Sequence, residues 1–315
     1  MEIKKITKKT IFLFFVVFCV LISILCIPYY SARNNGYLYN DVRYKTNSIS
    51  KEKDESIDVI FLGDSEAWSA FSPLQIFYEY GIPSYNCATP GQWTGDSVKI
   101  LKKALRHQRP SVVVLGTSTI FSNPNPYKYA LSQLVPLFHY HNYYKNSTPK
   151  YGDRRAKGAN LNETVVPYTG SAEYMSVSTA PQEIDSNSMK GLNELLKICQ
   201  ENDIRLVLVA SPSALTWNTS KRNAVKSWAD DQNVDFYDYN ETEALKRIGY
   251  DWATDTRDGG DHSNLSGSKK LSSDIGSILK NQYALADRRQ DSTYASWLET
   301  YLSSRLYKKE KGDVK

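Results

Sequence analysis

The chain has 315 residues, 41% of them hydrophobic and 23% charged. That length and composition suit one large globular domain or two small ones, and exclude a disordered, collagen-like or disulfide-scaffold protein. The net charge of +5 is weighted to the first ten residues, where Lys4, Lys5, Lys8 and Lys9 face Glu2 alone, and the remainder is too weak to imply a nucleic-acid partner.

Residues 11–27 read IFLFFVVFCVLISILCI and carry no charge. A helix of that length spans roughly 25 Å, and Pro28, Tyr29 and Tyr30 bring it near the bilayer core of about 30 Å. The preceding lysines predict a cytoplasmic tail at 1–10, a single-pass anchor at 11–30 and an extracytoplasmic remainder. A cleaved signal peptide is the alternative. Against it stand the long apolar core and Ser31-Ala32-Arg33, a poor cleavage site. Cys19 and Cys26 lie in the apolar run. Cys87 and Cys199 alone remain outside it, too few for a disulfide framework.

Residues 31–56 are polar and read as a linker. An alternating pattern follows. Residues 59–62 are an apolar run ending in Gly63-Asp64-Ser65, 66–80 look helical, and 83–86 suit a short strand. Residues 95–107 place Val98, Ile100, Leu101, Ala104 and Leu105 at helical spacing, and 112–115 are again fully apolar. The rhythm resumes with a helix at 192–199, strand at 206–209, helix at 218–231, strand at 234–237 and helix at 264–283. Continuous apolar runs between amphipathic helices predict an α/β fold with a mostly parallel sheet covered on both faces, over residues 57–285.

Residues 121–184 break the rhythm. This insert is rich in proline and in tyrosine, of which the chain has 23. A segment so long is functional or partly disordered. Its Lys145, Lys150, Arg154, Arg155 and Lys157 read either as a solvated loop or as a groove for an anionic polymer. Residues 286–315 hold a terminal helix and tail. Trp297, Leu298, Tyr301, Leu302 and Leu306 share one helical face, whose default role is docking on the domain.

Ser65 follows a buried-strand pattern and opens a helix. In a parallel sheet, ligands bind at the carboxyl ends of strands, and a helix N-terminus favours developing negative charge. Read alone, Ser65 is more readily an ordinary helix cap beside the turn residue Asp64. The cluster Asp258-Gly259-Gly260-Asp261-His262-Ser263-Asn264, just before another helix, changes that weighting. Serine needs a base to become a nucleophile; histidine supplies one near neutral pH, and a carboxylate holds the imidazole in the right tautomer. A metal site would need more ligands, and the pair His139 and His141 is too sparse; no metal or other cofactor is expected. In Tyr85-Asn86-Cys87-Ala88-Thr89-Pro90-Gly91-Gln92, Gly91 lets a backbone N–H approach a substrate oxygen, as an oxyanion hole requires.

Together these residues resemble the SGNH/GDSL hydrolase superfamily. Gly63-Asp64-Ser65 matches its nucleophile block, residues 86–91 the block with an oxyanion-hole glycine, and residues 258–262 its C-terminal Asp/His block. The resemblance covers 57–122 and 190–283. It implies a three-layer αβα, flavodoxin-like domain and a serine esterase or O-acyltransferase, with Ser65 as nucleophile, His262 as base, and Ser65, Gly91 and Ser118 around the oxyanion. The runs IDVIFLGDSEAWSAFSP, GIPSYNCATPGQ and DGGDHSNLSG are similar to a membrane-anchored bacterial branch linked with cell-surface O-acetyltransferases and the teichoic-acid D-alanyl transfer protein. That branch implies a polysaccharide or teichoic-acid substrate and a multi-span membrane O-acyltransferase as partner.

Two departures stand out. The third block usually carries an asparagine; here it reads Gly116-Thr117-Ser118-Thr119, so Thr117 or Ser118 substitutes with a shorter side chain, or turnover is slow. The acid usually lies three residues before the histidine; here Asp258 lies four before and Asp261 one before. An adjacent residue reaches its neighbour's ring poorly, which favours Asp258. The altered third block also admits a noncatalytic accessory protein that binds polymer or partners a membrane acyltransferase.

Overall fold

The computed structural model describes residues 7–34, 42–125, 127, 131, 155–171, 173–176 and 180–304. The chain divides into two compact units, Met1–Tyr39 with Pro124–Lys150 and Asn40–Asn123 with Tyr151–Lys315. In the first, helix α1 (Lys8–Asn34) contains a candidate span, Lys8–Tyr29, in which an 18-residue window has a mean hydropathy of 3.2. Its apolar side chains, Phe12, Phe14 and Leu21 among them, are exposed. Among the described residues this one helix is long and apolar enough to be a membrane span or a signal sequence.

The second unit runs α2 (Val42–Ile49), β1 (Val59–Leu62), α3 (Ser65–Ala70), α4 (Pro73–Tyr80), β2 (Ser84–Asn86), α5 (Thr94–Ala104) and β3 (Val112–Gly116). It continues with α6 (Ser186–Glu201), β4 (Arg205–Ala210), α7 (Thr219–Gln232), β5 (Asp235–Asp238), α8 (Thr242–Ile248), α9 (Leu265–Asn281) and α10 (Ala295–Ser303). The five strands form one parallel sheet in the order β2-β1-β3-β4-β5. Side chains alternate between faces along a strand. Every residue of β1, β2 and β3 is buried, so both faces are covered, as the continuous apolar runs predict. β5, with Asp235 and Asp238 at its ends, is half-buried at the edge, where charge blunts pairing with other chains.

The chain leaves β1 for β2 on one side and returns to β3 on the other. The crevice between the carboxyl ends of β1 and β3 is therefore the topological switch point, where open α/β sheets bind ligands. Gly63 follows β1 there and Thr117 follows β3.

Local chemistry sets the helix boundaries. The predicted helix 66–80 is two helices. Ser72 caps α4 by accepting from the Gln75 amide, Pro73 sits where no amide partner is lost, and Gly81 ends the helix at φ 70. Of the residues expected as a linker, 31–56, the structure places 31–34 at the end of α1 and 42–49 in α2. Residues 35–41 lie outside the described residues, while α2 packs on α5 with Ile49 fully buried.

The terminal helix α10 docks on α4, with Trp297 and Tyr301 buried and the Phe77 and Trp297 rings 5.3 Å apart; Leu306 lies outside the described residues. So do His139, His141, Lys145, Lys150 and Arg154 of the insert. Arg155 is exposed. Lys157 pairs with Glu52 at 2.8 Å and stands 4.2 Å from the Trp297 ring centroid, so its charge is engaged within the domain.

Candidate active site

The turn that carries Ser65 is built by close approach. A Cβ on Gly63, at φ 150, would stand 2.5 Å from the Ala67 Cβ and 3.3 Å from the Gly116 backbone. Only glycine lets the ends of β1 and β3 meet this way. Asp64 caps α3 by accepting from the Glu66 amide at 3.1 Å. Ser65 is therefore the first residue of α3, where backbone amides have no partner within the helix.

Two buried side chains hold this turn. Asn86 donates to Ala67 O at 3.0 Å and Phe71 O at 2.9 Å, pinning α3 to β2. Gln92 accepts from the Gly63 amide at 3.0 Å and donates to Cys87 O at 3.1 Å, joining the turn to the loop that carries Gly91. Gly91 is exposed, and a Cβ there would meet nothing within 4 Å. The second predicted oxyanion amide thus borders open space.

His262 comes from the loop before α9. That loop is stapled on both sides. Buried Asp255 pairs with Lys270 of α9 at 2.6 Å, and Thr256 and Ser263 form an antiparallel bridge. Gly259 and Gly260 adopt φ of 81 and 109, a backbone that glycine allows. The later part of the insert runs alongside. The Val166 amide donates to Thr256 O at 3.0 Å, the Gly259 amide to Val166 O at 3.1 Å, and the Leu265 amide to Asn162 O at 2.6 Å. This half of the insert is a strap that braces the histidine loop, a role that its irregular sequence did not signal.

The structure brings Ser65, His262 and Asp258 together. Ser65 Oγ lies 2.8 Å from His262 Nε2. His262 Nδ1 lies 2.5 Å from Asp258 Oδ2 and 3.3 Å from Asp261 Oδ2. Asp258 Oδ1 also accepts from the backbone amides of His262 at 2.9 Å and Asp261 at 3.2 Å, so its carboxylate is fixed at three points. Burial raises the Asp258 carboxyl, but the hydrogen bonds from the His262 amide and ring outweigh it and hold Asp258 below the usual carboxylate range. It is therefore ionised at neutral pH, as a partner of an imidazolium must be. Asp258, Asp261 and His262 bring ligand atoms within 4.8 Å of one another. With Nδ1 between two carboxylates and Nε2 on Ser65, that grouping is suited to moving a proton.

Ser118 departs from expectation. Its hydroxyl donates to Glu66 Oε2. One hydroxyl hydrogen cannot serve an oxyanion at the same time. The Thr117 hydroxyl is buried with no hydrogen-bond partner among the described residues. The third oxyanion donor implied by the resemblance is thus engaged by the carboxyl group of the residue immediately after Ser65.

Glu66 is a residue that sequence reasoning missed. It is buried and also meets Thr216 Oγ1 at 2.5 Å. Burial, and then the Asp64 charge, push Glu66 up to about 8, and burial pushes Asp64 up to about 7. Lys221 of α7 faces this group; burial holds it below the usual lysine range, opposed by Glu66, Asp64 and Asp261. A signal was present: an acid in the otherwise apolar and small-residue run AWSA, and a polar Ser211-Pro212-Ser213 run at the carboxyl end of β4.

No protein-family model matches the sequence, and no curated protein matches it. Solved structures do. A protein assigned as an acylhydrolase from Bacteroides fragilis is 14% identical over 78% of this chain and 98% of that chain, with a TM-score of 0.40. A GDSL-like lipase from Bacteroides thetaiotaomicron is 13% identical over 78% of this chain and 100% of its own, at 0.39. A protein assigned to the G-D-S-L lipolytic family from Desulfitobacterium hafniense is 13% identical over 70% of this chain and 98% of its own, at 0.39. At such values the activity of this chain has to be argued from its own side chains.

Proposed function

We propose that the protein is a serine esterase or O-acyltransferase in which Ser65 is the nucleophile, His262 the general base and Asp258 the residue that orients it. One observation carries this reading: the unbroken series Ser65 Oγ, His262 Nε2, His262 Nδ1, Asp258 Oδ2, at 2.8 and 2.5 Å, at the switch point of a parallel sheet. Ser65 Oγ attacks the acyl carbonyl as its proton passes to His262 Nε2. The negative charge forming on the carbonyl oxygen is met by the Ser65 and Gly91 amides. His262 then gives the proton to the departing alcohol, leaving an acyl-serine. An acceptor hydroxyl repeats the steps in reverse: its proton goes to His262, its oxygen takes the acyl group, and Ser65 Oγ recovers the proton. Water as acceptor makes the same site a hydrolase.

Within this reading the acyl group is acetyl or a similarly small ester, and the acceptor a cell-envelope polysaccharide or teichoic acid. Helix α1 is the anchor, with the N-terminus cytoplasmic and the site outside, where a multi-span membrane acyltransferase would supply the acyl donor. A second reading, a noncatalytic polymer-binding accessory, is favoured by one observation: the Ser118 hydroxyl is turned to Glu66.

A membrane-impermeant fluorophosphonate on wall-stripped cells separates these readings. Wild type should label at the outer face and Ser65→Ala should not. Labelling of neither, or of both alike, removes Ser65 as nucleophile; labelling only after lysis reverses the orientation.

A further inference from the structure

Four hydrogen bonds run in series through the floor of the site. Asp261 Oδ1 and Ser213 Oγ are 3.0 Å apart, Ser213 Oγ and Thr216 Oγ1 2.7 Å, and Thr216 Oγ1 and Glu66 Oε1 2.5 Å. Glu66 Oε2 closes the series on Ser118 Oγ. Each bond needs one hydrogen. The hydroxyls of Ser213, Thr216 and Ser118 bring three, and an ionised carboxylate brings none. The fourth hydrogen must sit on a carboxyl group, either Asp261 or Glu66.

Position decides between them. Asp261 Oδ2 is 3.3 Å from His262 Nδ1 and the side chain is 28% exposed. Glu66 is only 6% exposed. Charge is favoured beside an imidazole and in contact with water, and disfavoured in the interior. With Asp261 ionised, the directions follow without freedom. Ser213 donates to Asp261, Thr216 to Ser213, protonated Glu66 to Thr216, and Ser118 to the other oxygen of Glu66.

We propose that Glu66 is a neutral carboxylic acid in the working protein. It acts as a positioning residue that ties the Ser65 helix and the turn after β3 to the His262 loop through Thr216 and Ser213. The link reaches the loop at Asp261, leaving Asp258 free to hold the ring. A neutral acid makes this link without adding negative charge beside the nucleophile, where negative charge develops. The charged and titratable groups that face Glu66 are Asp64 on its own turn, Asp261 on the loop before α9 and Lys221 on α7. The upward push of burial on Glu66 agrees with the hydrogen count. Loss of the proton leaves three hydrogens for four bonds, so one link must open.

The proposal builds on the site assigned above, and its test separates the two. Infrared difference spectra of the full chain in detergent compare wild type with Glu66→Gln, well below and well above pH 8. A carboxylic-acid carbonyl band should be present in wild type below pH 8, absent from Glu66→Gln, and lost from wild type above it. Fluorophosphonate labelling rates give the second arm. Glutamine can donate to Thr216 and accept from Ser118, so Glu66→Gln should label within about threefold of wild type; Glu66→Ala and the near-isosteric Thr216→Val should each slow by about tenfold or more. The wild-type rate should fall as pH rises through 8, and that fall should be absent from Glu66→Gln. A Glu66 that is ionised at neutral pH, or Glu66→Gln as slow as Glu66→Ala, overturns the proposal. If wild type does not label at all, the assignment of Ser65 falls and the infrared arm alone decides the state of Glu66.

Discussion

Replacing Asp258 by asparagine tests which acid orients His262, and the structure sets the size of the effect. The bare Coulomb attraction goes as 332/(εr) kcal/mol; at an effective ε of about 20 it is stronger at the Asp258 distance of 2.5 Å than at the Asp261 distance of 3.3 Å by at most about 1.6 kcal/mol, since water screens both partly exposed carboxylates. That upper bound is roughly fifteenfold in rate if it appears in the transition state, where the imidazolium forms. Loss of the correct tautomer adds to it and reaches about 10⁴-fold in a serine triad. Asp258 also braces its own loop through two backbone amides, whereas Asp261 is partly engaged by Ser213. Asp258→Asn is therefore expected to lower kcat/KM for p-nitrophenyl acetate at least about tenfold more than Asp261→Asn. Equal losses, or a greater loss from Asp261→Asn, would refute the reasoning and move the orienting role to Asp261.

Two further expectations concern stability. A carboxyl raised in the folded state binds its proton more tightly there than in the unfolded chain. Its contribution to folding is therefore full below the ordinary value of 4.5 and is lost as pH rises toward about 8. The urea midpoint should fall between those limits in wild type, and less steeply in Glu66→Gln; parallel slopes would remove Glu66 as the source. Gly63→Ala places a methyl 2.5 Å from the Ala67 Cβ, so it should lower stability by about 1–3 kcal/mol and slow fluorophosphonate labelling. Unchanged denaturation and labelling would show that the two strand ends can part at no cost.

The sheet was legible because a fully buried strand must be apolar on both faces, and residues 59–62, 112–115 and 206–209 can be little else. The pairing of Ser65 with His262 was legible for a different reason: in a parallel sheet, site residues are sought at the carboxyl ends of strands or the starts of helices, and few residues of the type needed for the proposed chemistry lie there. The role of α2 was hidden, because a polar eight-residue helix is read from its neighbours; only packing on α5 makes Ile49 a core residue. The strap at 155–168 was hidden because backbone pairing with a distant loop leaves no periodicity.

What the sequence by itself determined is the order of the five strands along the chain, the apolar N-terminal segment and the short set of side chains from which the proposed site is drawn. These depend on residue type and spacing along the chain, which folding does not alter. Only the tertiary structure decided that Asp258 stands closer to the imidazole than Asp261, that Ser118 turns to Glu66, and that Glu66 closes a chain of hydrogen bonds. Those outcomes depend on which groups meet across loops far apart in sequence, and a hydrogen bond is made or lost within half an ångström.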